Sequence, residues 1–310
     1  MPNYTPEMKR PALALLPAVI AATLALSTFR VAAAPHAAPT PLPATAFAYD
    51  QNRPLDLRVA SSTPQGASTV QDVSFVNAAG TGRIHANLVL PERPDGSAVL
   101  FVHWLGDDPK ATNLEEFKPD ALALAEKGTT SLLIDAPWSD PNWFEKVRSP
   151  ATDYAASIAQ VKDLRRSLDV LLATRGVDPH KLAYVGHDFG AMYGAVLSGV
   201  DPRPAYYVLA AGTTTFSSWF LLGAKPADPA AYVASMQPLD PLPYLARSQA
   251  RGFLLQFALH DEYIPAAKAQ AFAAAAPEPK RIAYYDTNHA LAIPAARADR
   301  IAWLNAAFGR

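Results

Sequence analysis

The stretch that most constrains this chain runs from residue 181 to 199, KLAYVGHDFGAMYGAVLSG. Residues 182 to 185 are a continuous apolar run, which predicts a buried parallel strand, and a helical pattern follows from 189 to 198. Between them stands Gly186-His187-Asp188-Phe189-Gly190. A residue at the apex of so sharp a strand-to-helix turn is forced into a strained backbone conformation. Its neighbours two before and two after must then be tiny. Gly186 and Gly190 meet that need, while Ala191 and Gly194 let the helix lie close to the sheet. The apical side chain projects above the carboxyl end of the strand, beside a helix N-terminus that favours an anion. Here the apex is Asp188, and no Gly-x-Ser-x-Gly occurs anywhere in the sequence.

The flanking segments predict what this turn is set into. Strand-like pieces at 55–59, 70–76 and 84–90 lie between turn signals and are expected to be antiparallel edge strands. Residues 98–102 are a continuous apolar run followed directly by His103-Trp104-Leu105-Gly106. Helical and strand patterns then alternate: a helix over 114–127, a strand over 131–134 ending at Asp135, and a long helix over 152–174 capped by Gly176. Further strands are expected at 206–210, 253–258 and 282–285, the last two each followed by a helical pattern. The alternation predicts an α/β fold with a mostly parallel central sheet and helices on both faces. The least regular stretch, about 213–250, carries Trp219, Phe220, Tyr232 and Tyr244 among several prolines and reads as a short cap.

Composition excludes some chemistries. A formal net charge of −1 and the lack of a dense Lys/Arg run argue against a nucleic-acid partner. Without cysteine there is no thiol nucleophile and no thiolate metal site, and no His/Asp/Glu cluster has metal-ligand spacing. No glycine-rich dinucleotide or phosphate loop occurs either, so no cofactor is expected. At the start, Lys9-Arg10 precede an apolar run over 11–26 and the small residues Val31-Ala32-Ala33-Ala34. That order predicts a secretory signal peptide over 1–33, cleaved after Ala33, and hence export to a periplasm or the medium with no membrane span left. The alternative is an uncleaved anchor, against which stand the short run and Pro17. Residues 34–48 read as a Pro/Ala-rich tether without fixed structure, leaving 49–310 as the folded domain.

The turn and its flanks resemble the α/β-hydrolase superfamily over roughly residues 49 to 310. Gly-His-Asp-Phe-Gly-Ala is most similar to the elbow of epoxide hydrolases and haloalkane dehalogenases, whose nucleophile is aspartate. The surrounding layout, with its short cap, is more similar to the dienelactone-hydrolase and acyl-peptidase-like branch. The resemblance implies a triad in the order nucleophile, acid, histidine. Of the seven histidines, His289 follows the last strand just before the C-terminal helix and matches the family's catalytic histidine. Asp261 matches the acid, in a segment where Ala258 replaces the usual glycine; Glu262 and then Asp240 are fallbacks, and Asp135 and Asp286 read as loop-fixing residues. The resemblance also places an oxyanion hole at the backbone N–H groups of Leu105 and Phe189, with Trp104 as an alternative to Leu105. Trp104, Trp219, Tyr232 and Tyr244 are candidates for the substrate pocket.

The identity of the apex divides the chemistries. A carboxylate attacking an ester carbonyl gives an energetic anhydride, whereas attack on an sp³ carbon bearing a halide or a strained oxygen gives a stable alkyl ester. His289 then activates water to hydrolyse that ester, with Asp261 stabilising the imidazolium. The leading expectation is therefore an exported hydrolase of a small molecule, acting through a covalent ester on Asp188. A dienelactone-hydrolase-like esterase or lactonase with Asp188 as general base is the second reading. A catalytically silent binding protein is the third, against which stands the presence of both Asp261 and His289.

Overall fold

The description of the computed structural model covers residues 40 to 106, 113 and 115 to 310. The expected signal peptide, and the tether as far as residue 39, lie outside them. Among the described residues nine strands form one sheet: β1 (Arg58–Gln65), β2 (Ser68–Val76), β3 (Arg83–Pro91), β4 (Ala98–Val102), β5 (Thr130–Ile134), β6 (Leu182–His187), β7 (Tyr206–Ala210), β8 (Gly252–Ala258) and β9 (Lys280–Tyr285). Their spatial order is β1-β2-β3-β5-β4-β6-β7-β8-β9. β1, β2 and β3 pair antiparallel, as does β3 with β5, and every later pairing is parallel.

The helices are α1 (Lys118–Ala125), α2 (Asp153–Ala173), α3 (Phe189–Ser198), α4 (Phe216–Phe220), α5 (Pro229–Met236), α6 (Pro241–Ala246), α7 (Ala266–Ala275) and α8 (Pro294–Ala307). Strand parity sorts them into two layers. Val99 and Phe101 of β4, with Ala183 and Val185 of β6, face α1 and α8 through Phe117, Leu124 and Leu304. Leu100 and Val102, with Leu182 and Tyr184, face α2, α3 and the cap. The same period of two puts His187 on the α1 and α8 side. No helix among the described residues is long and apolar enough to cross a membrane.

Three elements differ from the sequence reading, the simplest being α1, which runs over Lys118–Ala125 within the expected 114–127. The first strand starts at Arg58 rather than residue 55 and continues through Ser-Ser-Thr-Pro to Gln65. All its residues before Gln65 are exposed, so no burial pattern marks it. The tether is corrected over residues 40 to 48, which are ordered against the domain. Ala44–Phe47 form a 3-10 turn, and the N–H of Leu42 donates to the Pro238 carbonyl and the Tyr244 hydroxyl. Phe47 is 0 % exposed, edge-on to Tyr244, and its carbonyl accepts from Arg165. One apolar anchor in a Pro/Ala-rich stretch suffices to dock it. Phe47→Ala is expected to cost about 3 kcal/mol in urea unfolding, the usual scale for a buried phenylalanine. A change below about 0.5 kcal/mol, the scale of an ordinary surface substitution, would refute the docking.

Candidate active site

The apex is built by sterics. Asp188 sits at φ 55° and ψ −115°, a region that costs roughly 1–3 kcal/mol for a residue with a side chain. The chain can turn there because a Cβ on Gly186 would lie 2.4 Å from the Gly190 carbonyl oxygen, and one on Gly190 2.3 Å from that of Val102. Only glycine fits at either place. The N–H of Asp188 donates to Ala210 of β7, and the Tyr184 hydroxyl donates to the Gly190 carbonyl at 2.6 Å, pinning both sides of the turn.

Asp188, Asp261 and His289 converge at the carboxyl ends of β6, β8 and β9. His289 Nδ1 lies 2.9 Å from Asp261 Oδ2, and its Nε2 lies 4.0 Å from Asp188 Oδ1. Asp261 is itself oriented, because its Oδ1 accepts the N–H groups of Tyr263 and Ile264. Glu262 accepts the backbone N–H of His289 at 3.2 Å rather than its ring, so the fallback acid fixes the loop. Asp240 accepts the N–H of Phe216 and caps α4, and Asp286 pairs with His260 on the surface. Asp135 ends β5 and makes its own N–H bond to the His85 carbonyl.

The two oxygens of Asp188 have different surroundings. Oδ2 accepts the Leu105 N–H at 3.1 Å, and the Phe189 N–H also donates to this carboxyl group. Oδ1 is buried and has no hydrogen-bond partner among the described residues. Burial pushes the carboxyl up to about 6, against the pull of His289, His187 and the two N–H groups. Burial works against the His289 imidazolium, but Asp261, Asp188 and Glu262 raise its affinity for a proton on balance. Burial likewise opposes the Asp261 carboxylate, and the His289 ring and the two loop N–H groups more than offset it.

Leu105 is held by a neighbouring histidine. His103 is buried and its pKa is depressed by that burial. Its Nε2 accepts the Ala136 N–H at 3.2 Å, which leaves Nδ1 to donate to the Trp104 carbonyl at 2.8 Å. This neutral tautomer ties the β4 loop to the loop after β5.

A cavity of about 190 Å³ is lined by Asp188 and His289 and walled by Leu105, Phe144, Phe189, Trp219, Leu222 and Tyr263. Trp219 is therefore in the wall, and its indole N–H is buried with no partner among the described residues. The other pocket candidates are corrected. Tyr232 donates to Asp153 at 2.6 Å, where Arg148 also binds, and so ties α5 to α2. Tyr244 donates to the Pro238 carbonyl and packs on Phe47, away from the cavity. Trp104 turns its N–H to Glu116 and stacks on His187 at 5.2 Å, walling a neighbouring cavity instead of this one. Sequence reasoning missed Phe144 and Tyr263. Phe144 lies in a single π turn, Trp143–Val147, which carries no apolar period; Tyr263 stands two residues after Asp261, in the turn that Asp261 organises. Among the described residues no group of three His, Asp or Glu is placed to hold a metal ion.

No protein-family model matches the chain, and no curated protein matches it in sequence. Solved structures do. The acetyl xylan esterase from Paenibacillus sp. R4 superposes with a TM-score of 0.67 at 21 % identity, over 85 % of this chain and 92 % of that one. Acetyl xylan esterase 1 from Thermoanaerobacterium sp. JW/SL YS485 gives 0.67 at 16 % identity, over 88 % and 96 %. The glucuronoyl esterase from Solibacter usitatus gives 0.60 at 14 % identity, over 83 % and 87 %. Together with the sheet order and the elbow, these likenesses establish the α/β-hydrolase fold.

Proposed function

We propose that the protein is a hydrolase in which Asp188 forms a covalent alkyl ester with a small substrate bearing a leaving group on an sp³ carbon, a haloalkane or an epoxide. The observation that carries this reading is the asymmetry of the carboxylate. Its Oδ2 accepts the Leu105 N–H, the Phe189 N–H also donates to the carboxyl group, and Oδ1 has no hydrogen-bond partner among the described residues, while Asp188 lines the cavity. An ester substrate would need those two N–H groups for its own carbonyl oxygen. In this site the aspartate occupies them. For an alkyl ester on Asp188 the placement fits, because Oδ2 becomes the ester's carbonyl oxygen.

The reaction then balances as follows. Oδ1 attacks the carbon from the side opposite the leaving group, the C–O bond forms, and the carbon–halogen or strained carbon–oxygen bond breaks. Trp219 lines the same cavity, and this reading assigns its indole N–H, which has no partner among the described residues, to the developing negative charge. His289 Nε2 takes a proton from water as that water adds to Cγ, and Oδ2 bears the oxyanion against Leu105 and Phe189. Collapse releases the alkoxide, which the imidazolium protonates, and leaves Asp188 as the carboxylic acid. Its proton then leaves through His289, to solvent with a haloalkane or to the alkoxide of the opened ring with an epoxide, and the carboxylate is restored. Asp261 holds the ring and stabilises its charge. With about 190 Å³, the cavity suits a molecule near the size of benzene, which an engineered cavity of about 150 Å³ admits.

The experiment is a single turnover in ¹⁸O-water with enzyme in excess. The product alcohol is expected to be unlabelled, since its oxygen comes from Asp188, and the label should appear in the Asp188 peptide. Label in the product and none in the peptide would instead establish Asp188 as a general base. That second reading, an ester or lactone hydrolase, draws support from the structural neighbours described as esterases. Export belongs to the same proposal, supported by Lys9-Arg10, the apolar run and Val31-Ala32-Ala33.

A further inference from the structure

Behind the triad, on the α1 and α8 side of the sheet, lies a polar cluster that the mechanism above does not use. His187 is buried, and each of its ring nitrogens faces an oxygen. Nδ1 lies 2.7 Å from Glu116 Oε1, and Nε2 lies 3.0 Å from the backbone carbonyl of His289. A carbonyl oxygen only accepts, so Nε2 must carry a proton. With Glu116 ionised, its carboxylate also only accepts, and Nδ1 carries a proton too. With Glu116 protonated, its O–H would donate to Nδ1, so in either case the pair shares one proton beyond that on Nε2. The second oxygen of Glu116 accepts the Trp104 N–H at 2.9 Å, one residue before the oxyanion donor Leu105. Trp104 lies flat on the imidazole, with the ring planes 14° apart. A single carboxylate thus ties together the oxyanion loop, the elbow and the His289 loop.

We propose that Glu116 and His187 are positioning residues that hold one extra proton between them, and that the resulting imidazolium fixes the His289 loop and supplies the positive charge beside Asp188. The second half rests on the reading of Asp188 as the reacting carboxylate. The charge matters because Asp188 is 2 % exposed and its only hydrogen-bond donors among the described residues are two backbone N–H groups. A buried carboxylate so placed needs a nearby cation to stay ionised. His289 supplies one only while protonated, and it must lose that proton to activate water. His187 keeps its charge through both steps, because no step of the reaction takes its protons. The other titratable groups around the pair are His103 and Asp120, the latter held by Arg300 at 3.1 Å and Arg297 at 3.4 Å.

Glu116→Gln separates charge from geometry. Its amide oxygen accepts the Trp104 N–H, its NH₂ donates to a bare Nδ1, and Nε2–H still donates to His289. All three hydrogen bonds survive with a neutral ring. The full chain, labelled with ¹⁵N-histidine and ¹³C-aspartate, is followed by NMR, with the His187 signals assigned by their loss in His187→Gln. In the wild type at pH 7 both His187 nitrogens are expected to carry protons. In Glu116→Gln only Nε2 should, and the titration of the Asp188 carboxyl should move up by about one unit. A singly protonated His187 in the wild type, or an Asp188 titration that does not move in the variant, overturns the proposal. Should the variant not fold, the wild-type ring spectrum alone decides. No substrate is needed, so this outcome is independent of the isotope experiment on the nucleophile.

Discussion

With His289 replaced by glutamine, the protein is expected to become covalently loaded on Asp188 and to stay so. On the proposed reading the substitution spares the first step, since the attacking carboxylate needs no proton removed. The pull of His289 that favours its ionised form is lost, however, so the adduct should form best above pH 7. The substitution removes the second step, because an amide cannot take a proton from water. General-base assistance of this kind is worth roughly 10²–10⁴ in rate, so the ester should outlive the reaction that forms it. Glutamine still offers an N–H to Asp261 Oδ2, which keeps the acid loop in place. Intact-protein mass spectrometry after exposure to a panel of small epoxides and haloalkanes should show the added mass of one substrate residue. Asp188→Ala in the same background should abolish it. If no adduct forms with any compound that the wild type turns over, the covalent mechanism is wrong.

The strands that position this chemistry were legible because a parallel strand buried on both faces must be apolar throughout. β4 and β7 follow that rule, β5 and β8 depart from it only at Thr130, Ser131 and Gln256, and the expected bounds of all four lie within a residue of those found. β1 does not follow it: at the sheet's edge it is held by backbone pairing to β2, and its exposed side chains carry no signal. The elbow was legible for a different reason. Its glycines answer a local collision, so the motif and the geometry are the same fact. His289 and Asp261 came from the resemblance alone, which implies an acid and a histidine on loops after later strands; the structure brings their side chains within 2.9 Å of each other.

The cap had no such rule. Between residues 212 and 250 the sequence shows aromatic residues but not which face each short helix presents. Trp219 reached the cavity, while Tyr232 and Tyr244 went to Asp153 and Phe47. Glu116 was equally hidden. Its role exists only because the turn before α1 meets the elbow, seventy-one residues away in sequence.

Asp188→Asn is expected to abolish turnover and at the same time to make the protein more stable at neutral and alkaline pH. The carboxyl is raised from its ordinary 3.8 to about 6 because burial disfavours its charge. A group whose folded value lies above its unfolded one is paid for in stability once it ionises. That cost is absent below about pH 4 and complete above about pH 6. About two units at about 1.4 kcal/mol each give a penalty of roughly 3 kcal/mol. Asparagine does not ionise, and its side-chain oxygen can accept the Leu105 N–H as Oδ2 does. It also tolerates positive φ about as well as aspartate, so the strain of the turn is unchanged. Urea unfolding at pH 8 should therefore show the variant more stable by about 2–3 kcal/mol, with the gap closing at pH 4. A gain of the same size at both pH values would point to repacking rather than charge. No gain at pH 8 would mean that the carboxylate is already fully compensated where it sits. On the proposed reading the sign of this effect follows from the chemistry: a buried carboxylate that is to react as a nucleophile must be kept charged where charge is least welcome.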